Sequence, residues 1–119
     1  MTQKVSAAEF SQFVSAKKFA VIHFDAPWDG VGEPLRPRMF QAEGLFSNLV
    51  NFGEFNADHW DSIIEHVSFQ CVPTIAFFRD GQLVVTYTGA TQDIVAETKA
   101  LISGECPKYV HVRPTKLGH

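Results

Sequence analysis

Residues 19–28 read FAVIHFDAPW, and the stretch continues as Asp29-Gly30-Val31-Gly32. From Phe19 to Asp25 the residues are aromatic or aliphatic, interrupted only by His23 before the closing aspartate. A run this continuous, without polar alternation, predicts a central strand buried on both faces. Such a strand needs cover on each side, so the chain must supply helices for two faces of one sheet.

Working outward, the flanking sequence supplies them. Upstream, Ser6 and Glu9 have the spacing of a capping box and open a short helix with Phe10, Phe13 and Val14 on one face. Downstream, Leu35, Met39, Ala42, Phe46 and Leu49 recur with helical spacing. Pro34 suits a first helical turn, whereas Pro37 is expected to kink that helix. Residues 50–57 form a second strand. Asp58 then caps a helix carrying Trp60, Ile63, Ile64 and Val67.

Strands 74–79 and 82–88 flank Asp80-Gly81, a strong hairpin signal, and Gly89 ends the second arm. Thr91 is read as the cap of a last helix bearing Ile94, Val95, Thr98, Leu101 and Ile102, stopped at Gly104. The pattern defines an α/β fold with a mixed central sheet and helices on both faces. Residues 1–104 form the domain and 105–119 a polar tail.

Composition narrows the function. The 119 residues suffice for one domain with a single sizeable core, and the 11 phenylalanines predict an aromatic one. The formal charge of −3, with no basic cluster, argues against nucleic acid as a partner. No apolar run approaches the roughly 20 residues that cross a bilayer, and the N-terminus MTQKVSAAEF lacks an apolar secretory core. A cytoplasmic protein with no membrane association is the expectation. Cys71 and Cys106 are the two cysteines, without Cys-x-x-Cys or zinc-type spacing.

Over residues 1–104 the chain resembles the thioredoxin family, through four anchors in register. They are Phe24-Asp25-Ala26-Pro27-Trp28 before the family's Cys-x-x-Cys, Pro37 at its helix-kinking proline, Val72-Pro73-Thr74 at its cis-proline loop, and the Asp80-Gly81 hairpin followed by Gly89. The resemblance implies the thioredoxin fold. It also exposes a departure: Asp29 and Gly32 stand at the positions of the two active-site cysteines, and His23 at that of the family's buried acid. Disulfide exchange needs one thiolate to attack and a second thiol to resolve the mixed disulfide. Neither Asp29 nor Gly32 can do this, so no catalytic residue is assigned.

Asp29 is read as a helix-start carboxylate that keeps the negative charge favoured there, worth about 0.3–1 kcal/mol. Cys71, two residues before Pro73, is the candidate reactive thiol, though Phe69-Gln70-Cys71-Val72 offers no cation to lower its pKa. His23 reads as a core histidine with a partner. His59 and His66 lack companion ligands at metal spacing, so no metal and no cofactor is expected. Gly30-Val31-Gly32 lacks the lysine and spacing of a phosphate loop.

What survives loss of the sulfurs is the loop whose residue before proline, Val72, can pair with an extended peptide as an added strand. Trp28, Val31, Phe69, Val72, Pro73 and Gly89 are expected to line that groove. The first reading is therefore a redox-inactive, thioredoxin-like domain that binds a protein or extended peptide. The resemblance of Ile22-His23-Phe24 and Ala26-Pro27-Trp28 to the thioredoxin-like domain of multidomain monothiol glutaredoxins favours it. The second is a monothiol oxidoreductase using Cys71 with glutathione or a partner thiol in redox homeostasis. The third is a homodimer formed through the face the lost active site leaves open.

Overall fold

The computed structural model describes residues 3–25, 35–56, 74–88 and 93–107. Among these, β1 (Gln3–Lys4), α1 (Phe10–Ser15), β2 (Phe19–Asp25), α2 (Arg36–Phe46), β3 (Val50–Asn56), β4 (Thr74–Arg79), β5 (Gln82–Thr88) and α3 (Ile94–Ile102) follow in chain order. The strands form one sheet in the order β1-β3-β2-β4-β5. β1, β2 and β3 run parallel, while β4 is antiparallel to β2 and β5 antiparallel to β4. The mixed sheet expected from the strand runs is present, with β2 at its centre.

Alternation along the strands divides the core into two layers. Ala20, Ile22 and Phe24 of β2 join Phe55, Ala76 and Phe78 under Phe10 and Val14 of α1. Phe19 and Val21 join Val50, Phe52, Ile75 and Phe77 under Leu35, Met39 and Ala42 near α2 and Ile94 and Leu101 of α3. The continuous apolar run of β2 is explained: both its faces are covered, and Ala20 through Phe24 are almost fully buried.

The first layer is aromatic. The Phe10 ring lies 5.6 Å from that of Phe55, 5.8 Å from Phe78 and 6.2 Å from Phe24, with the first two edge-on. Edge-on packing suits the ring quadrupoles. Gly53 of β3 admits this layer closely. A Cβ there would stand 2.7 Å from Val5 Cγ2 and 2.8 Å from Phe13 Cε2.

The element ends follow local chemistry. Ahead of α1, a 3-10 turn over Ala7–Glu9 starts the helical segment, and the Glu9 carboxylate accepts from the Ser6 N–H at 3.2 Å and its hydroxyl at 3.0 Å. Asp80 and Gly81 join β4 to β5 with φ of 55° and 77°. Both are left-handed, as a tight hairpin turn of this hand requires. α3 is capped by Asp93, not Thr91: the Asp93 carboxylate accepts from the Ala96 N–H at 3.1 Å. Gly104, at φ 89°, stops it as expected.

One expectation for the second helix changes. α2 ends at Phe46, leaving Leu49 beyond it and 52% exposed. Pro37 is the second residue of the helix as described. The expected kink, like Pro34, concerns residues 26–34, outside the described residues, as does the helix read over 58–67.

Candidate functional site at one end of the sheet

The residues expected to line the groove, Trp28, Val31, Phe69, Val72, Pro73 and Gly89, lie outside the described residues. So do Asp29, Gly32 and Cys71. Their anchor points are described. Phe24, next to the end of β2, pairs with Thr74, the first residue of β4, and Thr74 pairs with Thr88, the last residue of β5. The Thr74 and Thr88 hydroxyls are hydrogen-bonded at 2.9 Å. The chain therefore leaves toward 26, arrives from 73 and leaves toward 89 at three adjacent strand ends. Asn56 closes the row by pairing with Asp25.

Beneath this end lies a polar array that apolar patterning does not reveal. His23 pairs in register with Glu54 across β2 and β3. His23 is 1% exposed, and its Nδ1 lies 3.8 Å from Glu54 Oε2. The same carboxylate oxygen accepts a hydrogen bond from Arg36 Nη1 at the start of α2. A carboxylate buried this far needs paired donors to offset its desolvation, and the guanidinium supplies one. The arrangement fastens the first turn of α2 to β3 beside the central strand.

His23 was read from sequence as a core histidine with a partner, and its carboxylate neighbour is Glu54. The signal for Glu54 was available, since Val50, Phe52 and Glu54 alternate onto one face of β3. Among the described residues no cluster of three or more His, Cys, Asp or Glu could hold a metal ion.

The opposite end of the sheet is tied down differently. Arg79, beside the hairpin, donates through Nη2 to the carbonyls of Leu101 at 3.1 Å and Glu105 at 2.9 Å. The last turn of α3 therefore sits at the hairpin end, away from the three strand ends. Cys106 follows that turn as an exposed free thiol. No described helix is long and apolar enough to cross a membrane.

A mixed five-stranded sheet in this order, flanked by helices, is the architecture of thioredoxin-like proteins. The thioredoxin family model matches residues 1–100, and the chain belongs to that family. It is 30% identical to the thioredoxin of Equus caballus over 89 residues, covering 74% of this chain and 84% of that one. Among solved structures, the thioredoxin of Malassezia sympodialis superposes with a TM-score of 0.71 at 26% identity, covering 88% of this chain and 90% of that one. The oxidised thioredoxin of Plasmodium falciparum gives 0.69 at 23% identity, covering 87% and 97%.

Proposed function

We propose that this member of the thioredoxin family binds a protein or extended peptide and does not exchange disulfides. One observation carries the reading. The sequence has no Cys-x-x-Cys, and Asp29 and Gly32 stand where the resemblance to the family implies the attacking and resolving thiols. Without two sulfurs at that spacing, a mixed disulfide can neither form nor be resolved there.

The described strand ends support retention of the binding groove. Phe24, Thr74 and Thr88 are neighbours, which is what a groove built from Trp28, Val31, Phe69, Val72, Pro73 and Gly89 requires of its anchor points. In this reading the backbone of Val72 pairs with the bound segment as an added strand, and the apolar side chains around it select residues on alternate positions.

Insulin reduction driven by dithiothreitol tests the proposal. The wild type is expected to be inert, and Asp29→Cys with Gly32→Cys to restore appreciable activity. Wild-type activity abolished by Cys71→Ser would replace this reading with the monothiol oxidoreductase. For binding, Val72→Pro removes the N–H that pairs with the guest strand and is expected to lose partners that the wild type captures from its host. Equal capture by both proteins would end the groove assignment.

A further inference from the structure

Beyond α3 the chain is drawn back onto the sheet. Arg79 holds the Glu105 carbonyl at 2.9 Å. The Tyr87 hydroxyl donates to the carbonyl of Pro107, and Pro107 is buried. Arg79 stands beside the hairpin, whereas Tyr87 is next to the last residue of β5 and packs against the core layer under α2 and α3. Residues 105–107 therefore travel over that layer in the direction of β5, away from the hairpin.

An apolar trough lies along this course. Ile94, Thr98 and Leu101 are the buried stripe of α3. With each residue turning about 100°, Val95 and Ile102 fall on one flank of the stripe and Ala96 and Ala100 on the other. α2 packs against α3 and β3, and β5 is the strand at the opposite side of the sheet. Because α3 is right-handed and runs toward the hairpin, its Val95 flank is turned to α2 and its alanine flank to β5. The floor beside those alanines is Val85 and Tyr87, both packed against the core and only partly buried. No residue of β5 is charged.

We infer that residues 108–113, which lie outside the described residues, dock in this trough between β5 and α3. The chain's own course selects that occupant, since Pro107 is already fixed at the trough by Tyr87. The sequence fits as well. In Lys108-Tyr109-Val110-His111-Val112-Arg113 an extended backbone sets Val110 and Val112 on one side, against an apolar floor, and Pro114 closes the run. Charge agrees with both. Residues 108–119 contain Lys108, Arg113 and Lys116 and no acid, a charge of +3, and since the whole chain stands at −3, residues 1–107 carry −6. At roughly 3.3 Å per residue the six residues reach about 20 Å. The nine residues of α3 span only about 14 Å. Arg113 can thus come level with the start of α3, where Asp93 and Glu97 supply negative charge.

Trypsin digestion of the full chain tests the inference, with a peptide of residues 104–116 extended to Gly118 as the reference for undocked cutting. Within the tail trypsin has two sites, after Lys108 and after Lys116, because Arg113 precedes proline. In the folded protein the cut after Lys116 is expected at the peptide's rate and the cut after Lys108 at least about tenfold more slowly, because cleavage reads the population of the open form. Val110→Ser with Val112→Ser changes only the tail and should bring the Lys108 cut back to the peptide's rate. Ala100→Gln, a good helix former that fills the trough from the other side, should do the same with an unchanged helical spectrum. Equal relative rates at both sites in the wild type would mean that the tail is free for an outside partner, and overturn the inference. Protection of Lys108 that persists in both variants also overturns it, because burial of Pro107 alone would then be holding the bond.

Discussion

The two faces of the sheet are built from different chemistry. Among the described residues, the face under α1 buries no ionisable group; it holds the rings of Phe10, Phe24, Phe55 and Phe78 with small aliphatic residues around them. The face under α2 and α3 buries His23 and Glu97 completely and most of Glu54. These polar groups are not spread evenly. His23 and Glu54 lie near the strand ends from which the candidate loops depart. Glu97 is in the first turn of α3, the end pointing away from the hairpin. The first face supplies cohesion, whereas the second gives part of its area to ionisable groups, with the Glu54 carboxylate set against Arg36 and His23.

The largest expected effect lies on the aromatic face. Phe10→Ala removes the ring that touches three others and should cost about 3–5 kcal/mol. Urea unfolding should show it as a lower midpoint with an unchanged slope. A loss under about 1 kcal/mol would mean that this face collapses around the gap and is less close-packed than the ring geometry indicates. Glu54→Ala strikes the other face by removing the carboxylate that Arg36 and His23 share. The expected loss is about 1–3 kcal/mol, read in the same experiment. A neutral result would show that the array contributes nothing net to folding.

The smallest effect has the opposite sign. The Thr98 hydroxyl on α3 is buried with no hydrogen-bond partner among the described residues. Thr98→Val, which removes only that polar group, should stabilise by about 1 kcal/mol. A destabilised variant would show that the hydroxyl is satisfied, and that polar groups on this face are paired more completely than the contrast between the faces implies.

Legibility from sequence followed the same division. β2, β4 and β5 were readable because apolar runs bounded by turn residues leave little choice, and Asp80-Gly81 fixed the hairpin between the last two. The start of α3 was misplaced because Thr91 and Asp93 are both capping residues two positions apart. Local pattern alone does not choose between them. Leu49 was assigned to the second helix because its spacing continues the apolar series, although the chain turns away after Phe46. Glu97 escaped notice because helical periodicity was followed through apolar residues, and a buried carboxylate is invisible to that filter. At the candidate site, family likeness proposes residues that lie outside the described ones, while the described structure shows the strand ends next to them and the Glu54–Arg36 pair that residue-type patterning had not joined to His23.

Gly53 has a consequence for how the chain begins. β1 has only two residues, too few for ladder hydrogen bonds alone to hold an edge firmly. Where the sheet offers a lone hydrogen in place of a side chain, the opening segment and its helix descend almost onto bare peptide. Nearness substitutes for length there, and a minimal first strand stays seated.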